Sequence, residues 1–542
     1  FTSAGISGQG HPYADFLLGI PTSAARAFAP IERDRNRWQY DLYAIDDFKV
    51  SSKLTLNLGF RYELHLPWRE NHDLMAMFDT GTGSIVVPEG AVSKVSPLMP
   101  KNYVSVTSGK SVGLSSRTLV HPDRNNIAPR IGVAYRPWGQ KTVFRGGYGI
   151  FYNVVPLTLS IGGVPFVIAE PSYTNPAANP DVILPRVFPA SGAGGPSTVG
   201  LPSASDPKLK MPYSMQYNFT IERQMWDTGF RISYIGTNER KGIWSYEYNS
   251  PLPDTRAFVD KPRPFPNYPG ITYTTNGAGH QYNGLTVSAE RHFSKGLYFQ
   301  SSWTWARDRY DMDYDGDLSG FERASENPFD RHREIGVSSV IPTHRVTSNW
   351  TYQLPFGKGR HWLPKASRLL NLAAGGWEIS GIFSTYSGHF LTPFWTGPDP
   401  TGIAFTSSRT PAEVTRRPDA LSNPNLAGEQ RSITRWYDVQ AFRGPLPGQF
   451  GSASKGMIKG PGVQVWHLGV HKDFFLQEGG PHLRWEVIAA NALNHPNYSN
   501  PGTNITSAGN AGVITGVGGV NGEATGDQPG PRALRMALRF EW

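Results

Sequence analysis

Along most of the chain hydrophobic and polar residues take turns. At the end of the sequence Leu534, Met536, Leu538, Phe540 and Trp542 fall on one parity, and Ala533, Arg535, Ala537, Arg539 and Glu541 on the other. In 54–65, Leu54, Leu56, Leu58, Phe60, Tyr62 and Leu64 oppose Thr55, Asn57, Gly59, Arg61, Glu63 and His65. In 213–223, Tyr213, Met215, Tyr217, Phe219 and Ile221 oppose Ser214, Gln216, Asn218, Thr220 and Glu222. A period of two sends alternate side chains to opposite faces, so each stretch predicts a strand with one apolar and one polar face. The same period marks 38–50, 129–138, 142–153, 229–238, 282–293, 297–307, 344–355, 376–388, 463–474 and 482–493. Each is about as long as a tilted strand that crosses a bilayer. These stretches make thirteen strands, and Tyr13–Phe28 reads as a fourteenth. Short segments near 73–79, 84–88 and 334–341 extend strands or add hairpins, for about 14–18 strands in all. No stretch keeps a helical period over three turns, and no apolar run is long enough for a membrane helix.

The connections alternate too. Short links follow 38–50, 129–138 and 282–293, with slightly longer ones after 212–223 and 463–474. Between these hairpins lie long loops near 66–128, 154–211, 239–281, 308–343, 389–462 and 494–530. One link, 356–375, is long where a short one is expected. Short periplasmic turns with long extracellular loops are the arrangement of an outer-membrane barrel. A closed barrel also gives the apolar final strand a partner; an open edge of that kind invites aggregation. The fold class is therefore all-β: an antiparallel transmembrane β-barrel in the bacterial outer membrane, in contact with its lipid. On this reading Leu56, Phe60, Tyr217, Phe219, Leu538 and Phe540 face lipid. Arg61, Glu63, Arg130, Arg145, Glu222, Arg231, Glu290, Arg345, Arg484, Glu486, Arg535 and Arg539 face the lumen. There they pair with one another, hold a plug or line a solute path; mutual pairing is the simplest role.

Composition narrows the function. Aromatics are 12% of the chain, with 15 Trp and 24 Tyr, which suits interfacial girdles or an aromatic-rich extracellular sandwich. Cysteine is absent, which excludes disulfides and thiol chemistry. The net charge of +9 is dispersed without a compact basic cluster, so no nucleic-acid partner is expected. No metalloprotease, nucleophile-elbow or phosphate-loop motif occurs, and no enzymatic activity is expected.

One motif carries metal chemistry. Asp311, Asp313, Asp315, Gly316, Asp317 and Glu322 fit the spacing of a calcium loop. Calcium takes six to eight oxygens, with a glycine for the sharp turn and a bidentate glutamate at the end. Asp311, Asp313, Asp315 and Glu322 would ligate by side chain and Asp317 by its carbonyl; a solvated acidic loop is the alternative. No cofactor is required, and Ca2+ is the one ion expected.

Several stretches also resemble a known family. Tyr352 to Arg360 (YQLPFGKGR), Gly376 to Gly381 (GWEISG) followed by Ser387-Gly388, and Asn494 to Tyr498 (NHPNY) look like the barrel of Oar-like TonB-dependent receptors. So do Asn126 to Tyr135, Phe144 to Tyr152, and Trp436 to Phe442 followed by Gly460 to Gly462. The resemblance runs from about Ala14 to Trp542 and implies one barrel domain over 1–542. The terminal Arg535, Ala537, Phe540 and Trp542 are similar to the signal read by the barrel-assembly machinery, with alanine where glycine is commoner. Family members also carry a carboxypeptidase-regulatory-like domain, a TonB box and a plug, through which a TonB-type protein supplies energy. None of these precedes Phe1, so the chain is expected to be a C-terminal portion whose barrel is incomplete at its N-terminus. The implied function is recognition and passage of a large solute: a carbohydrate, a peptide or a metal chelate. The alternative is a secreted all-β surface protein with a binding or structural role.

Overall fold

The computed structural model describes the chain except for residues 1–10, 25–33, 98, 101, 155–159, 162, 169–172, 176–182, 186–199, 269, 311–325, 404–415, 476–479 and 518–529. Thirteen long strands follow one another in space as they do in sequence. They are β1 (Gln39–Lys49), β2 (Leu54–His65), β3 (Asn126–Tyr135), β4 (Thr142–Tyr152), β5 (Tyr213–Met225), β6 (Thr228–Glu247) and β7 (Thr272–Ser294). The series continues with β8 (Leu297–Tyr310), β9 (His344–Gln353), β10 (Trp377–Tyr386), β11 (Val463–Phe475), β12 (His482–Ala490) and β13 (Ala533–Glu541). Every pair is antiparallel. Two-residue strands at Ala204–Ser205 and Gly336–Val337 bring the sheet to fifteen. Among the described residues β1 and β13 are its edges, and the sheet is open between them.

The register keeps the two faces distinct across the whole sheet. One row runs Phe48, Leu56, Val133, Gly146, Phe219, Tyr234 and Leu285. Another runs Trp377, Lys472, Trp485 and Leu538. Phe60, Phe219, Leu538 and Phe540 are about half exposed on this face. Some rings lie flat across it: a Cβ at Gly381 would come within 2.6 Å of the Trp350 ring, so only glycine admits that packing. The opposite face is polar, with Thr220 and Ser233 2.6 Å apart and Ser302 and Thr347 2.8 Å apart. Among the described residues neither face is covered by a second sheet, and the buried cores lie elsewhere.

Those cores lie in the long loops. Residues Met75–Asp79 and Ser84–Val87 form a hairpin in a four-stranded sheet with Val106–Ser108 and Ser160–Ile161. Phe78, Ile85, Val87, Ile168 and Ile271 pack there. A second cluster gathers Tyr437, Ala441, Phe442, Ala453 and Ile458. The loops at this end are thus a folded layer.

Two expectations change. Tyr13–Phe28 is not a strand. Pro12–Leu17 is a helix (α1), begun by Pro12 and capped by His11, and Ser23–Ala24 pairs with Tyr173–Thr174; 25–28 lie outside the described residues. The run Phe16-Leu17-Leu18 does not alternate, and proline is at ease in a first helical turn. The second change is length. β6 and β7 have 20 and 23 residues and rise past the others, because a bulge near Glu239–Gly242 shifts the pairing without ending it. The link 356–375 is long, as its sequence has it, and contains a helix, α2 (Arg368–Ala374).

Candidate functional site

The sequence-predicted lumen charges do share one face of the sheet. Pairing places Arg61, Arg130, Arg145, Glu222, Arg231 and Arg345 in rows with other polar-face residues. Arg145 and Arg231 flank Glu222 at 3.5 and 2.8 Å. The Arg130 guanidinium sits 4.6 Å from the centre of the Phe151 ring. Glu290 lies opposite Gly229 and Gln300, and Arg535 opposite Ile488.

Two clusters are denser. At the long-loop end of β1 and β2, Arg61 bonds Asp41 at 2.9 Å and Glu63 at 2.8 Å. The His65 Nε2 lies 3.5 Å from Asp41 and 3.6 Å from Glu63. Asp41, Glu63 and His65 have a metal-ligating make-up, yet Arg61 already supplies the cation that both carboxylates need. At the other end of the sheet Arg484 reaches Asp473 at 3.2 Å and Glu378 at 3.6 Å. His482 lies 3.2 Å from Glu541. Nearby, Arg539 bonds the buried Glu486 at 2.7 Å, and His471 lies 3.6 Å from the same carboxylate. Asp41, Glu378, Asp473 and Glu541 were missed from sequence, although they share the polar parity and that signal could have found them.

The loop layer holds charges of its own. Arg417, 2% exposed, bonds Glu326 at 2.8 Å and Glu334 at 3.1 Å, and Lys455 reaches Glu334 at 3.0 Å. Beside this network Ile403, Pro445 and Phe450 line a hollow with Asp399 and Arg416. Asp254 is held below the usual carboxylate range by the hydrogen bond from Arg256 and then by that from Lys261. Burial pushes the Tyr437 hydroxyl up to about 12, and it donates to the Gly502 carbonyl at 2.8 Å. The Arg417 network and the Tyr437–Gly502 bond have no local sequence signature, because they join distant loops, whereas Asp254, Arg256 and Lys261 are close in sequence. The calcium-loop residues Asp311, Asp313, Asp315, Asp317 and Glu322 lie outside the described residues.

The terminal residues sit on an edge. Arg535, Ala537 and Phe540 belong to β13, which pairs only with β12 among the described residues, and Trp542 is 93% exposed.

Solved structures are similar to this chain at low identity. The ferripyoverdine receptor of the outer membrane of Pseudomonas aeruginosa is 9% identical over 93% of this chain and 39% of its own, with a TM-score of 0.39. The outer membrane transporter YddB from Escherichia coli is 10% identical over 93% of this chain and 44% of its own, TM-score 0.36. BauA, the ferric preacinetobactin receptor from Acinetobacter baumannii, is 8% identical over 93% and 42%, TM-score 0.37. The chain thus spans less than half the length of each. No curated protein matches it. A family model described as an outer membrane beta barrel domain matches residues 1–532, nearly the whole meander and its loop layer, and the chain belongs to that family.

Proposed function

We propose that the chain is the barrel of an Oar-like TonB-dependent receptor, which binds a large solute at its long-loop end and passes it along the polar face. The solute class is a carbohydrate, a peptide or a metal chelate. One observation carries this reading: the long loops form a packed layer, with buried cores and a buried Arg417–Glu326–Glu334 network, over one end of a wall whose other face is polar. A simple pore needs no such layer, whereas a receptor needs a preformed surface to recognise its solute. The motifs from Tyr352 to Arg360 and from Gly376 to Gly381 favour the Oar-like type. Membership of an outer-membrane barrel family argues against the secreted alternative. On this reading a plug fills the lumen, meets the charged clusters of the polar face and receives energy from a TonB-type protein.

The test is uptake by cells that make the whole receptor, with and without the energy-coupling protein. Probes are a ferric siderophore, a maltodextrin and a short peptide, each radiolabelled. The expected result is accumulation of one class, lost without the coupling protein. Equal accumulation in both strains would make the barrel a passive pore and overturn the proposal.

A further inference from the structure

The long link between β9 and β10 has a composition unlike that of a turn. Residues 354–376 include Lys358, Arg360, Lys365 and Arg368 and no acidic residue. They also expose large apolar side chains: Phe356 at 40%, Trp362 at 56%, Leu369 at 81% and Leu370 at 43%. The segment is nonetheless folded. The Trp362 amide donates to the Pro355 carbonyl at 2.8 Å, and the Gly357 amide to the Trp362 carbonyl at 2.9 Å. Ser367 caps α2 through the Leu370 amide, and the Asn371 side chain accepts from the Lys358 amide at 2.7 Å. Apolar residues exposed on an ordered segment call for an apolar neighbour.

Its attachment shows which neighbour. The Lys472 ammonium donates to the Gly375 carbonyl, just past α2. Lys472 lies in the row Trp377, Lys472, Trp485, Leu538, on the apolar face. Its ammonium also rests 5.6 Å from the centre of the Trp377 ring and 4.7 Å from that of Phe474. The Trp377 indole in turn donates to the Ala373 carbonyl at 2.9 Å. Lys472 and Trp377 thus fasten the end of the segment that holds α2 to the apolar side of the wall, at the short-turn end, while Arg360 donates to Gln353 on the polar face at 3.3 Å. The segment also covers the cation on the apolar face, leaving Lys472 2% exposed. In an outer-membrane barrel this position is the rim of the periplasmic leaflet. An element there with aromatic and aliphatic side chains beside cations has the make-up of an interfacial anchor.

We propose that residues 355–374 lie on the membrane surface and bind anionic phospholipid headgroups. Leu369, Leu370 and Trp362 enter the acyl boundary, while Lys365 and Arg368 reach lipid phosphates with their stems along the apolar layer. The surface is continuous with the lipid-facing wall, and its charge is complementary to phosphate. The proposal needs the barrel to sit in a membrane but does not depend on what the receptor transports.

The absence of cysteine gives a clean probe, since Leu369→Cys takes a single fluorophore. The full chain is reconstituted in vesicles of phosphatidylcholine with or without phosphatidylglycerol. Quenching by a lipid spin-labelled near its headgroup is compared with quenching by iodide. A label at Ser302→Cys, on the polar face, is the control. The expected result is strong lipid quenching at 369, weak iodide quenching, and the reverse at 302. Lys365→Glu with Arg368→Glu should weaken the preference for phosphatidylglycerol by roughly fivefold per cation removed, while Lys365→Arg with Arg368→Lys keeps it. Heat-modifiable migration on gels confirms that each variant is folded, and Trp362→Cys repeats the measurement at a second site. Iodide quenching at 369 equal to that of a free dye–thiol adduct overturns the proposal. So does protection that is the same in detergent and insensitive to lipid charge, because protein then covers the segment.

Discussion

The Lys261 ammonium donates to the Thr401 carbonyl at 2.6 Å and joins two loops that are far apart in sequence. It also bonds the Asp254 carbonyl at 2.9 Å and pairs with the Asp254 carboxylate at 3.0 Å, and its side chain has no exposed surface. Removing the ammonium takes the charged donor from the Thr401 and Asp254 carbonyls, and the bond from such a donor to the buried Thr401 is worth about 1.5–3 kcal/mol. Lys261→Met is therefore expected to release this part of the loop layer without disturbing the sheet. Hydrogen exchange should quicken in 248–271 and stay unchanged in β11 and β12. Unchanged exchange in both regions would show that the lysine pins nothing.

Asp254 makes the same junction sensitive to acid. Arg256 and Lys261 depress its folded value, so its stabilisation is complete above the ordinary carboxylate value of about 3.9 and is lost as pH falls through the depressed one. A fluorophore on Val259→Cys, in the same loop and 83% exposed, reports on this. Its anisotropy should hold steady from pH 7 to about 4 and decline below that. Asp254→Asn should show the lower anisotropy across the whole range. A decline centred near pH 6 would assign the effect to another group.

Phe219 stands near the middle of β5, about half exposed on the apolar face, opposite Gly146 and Tyr234. Phe219→Arg should cost about 2–4 kcal/mol if the residue lies at the bilayer midplane. Asn218→Arg, one residue along and on the polar face, should cost far less. Refolding titrations into lipid vesicles measure both. Equal losses would mean that the two faces do not differ in environment.

The sheet was legible in the sequence because a strand with unlike faces writes its geometry into every second residue. Leu56, Phe219 and Leu538 could each be assigned a face from parity, and the register bears out the grouping. Where the period breaks, the reading fails. The bulge at Glu239–Gly242 hid the upper halves of β6 and β7. In Tyr13–Phe28 the run Phe16 to Leu18 does not alternate, and so short an apolar run does not tell a strand from a helical turn. Ion pairs along one strand pair, such as Arg231 with Glu222, follow from parity and register. Arg417 with Glu326, or Lys261 with Thr401, follows from loop packing that leaves no periodic trace.

Calcium binding by residues 311–322 is open to a direct test. If Asp311, Asp313, Asp315, Asp317 and Glu322 hold the ion, chelator should speed proteolytic cleavage there. Asp313→Ala should cleave fast with or without chelator. Identical digestion of the natural chain with and without calcium would leave a solvated acidic loop as the better reading.

The final strand is expected to decide assembly. Leu534, Met536, Leu538 and Phe540 are each more than half exposed on the apolar face of β13, an edge strand. β1 and β13 both run from the long-loop end to the short-turn end. Pairing them directly would make a parallel ladder, whereas an odd number of intervening strands would keep every pair antiparallel, as in even-numbered barrels. In either case β13 must find a partner, because an unpaired edge in lipid leaves each backbone group unsatisfied at a cost of several kcal/mol. Deleting 540–542 removes Phe540 and Trp542 of the terminal signal, along with the pairs Leu483–Phe540 and His482–Glu541. Membrane insertion in cells should then fail, with the protein degraded or aggregated and no heat-modifiable band in the outer-membrane fraction. Arg539→Lys, which keeps a cation beside Glu486, should insert normally. Normal insertion of the deletion would refute the terminal signal and show that residues 533–539 of β13 suffice as the closing edge.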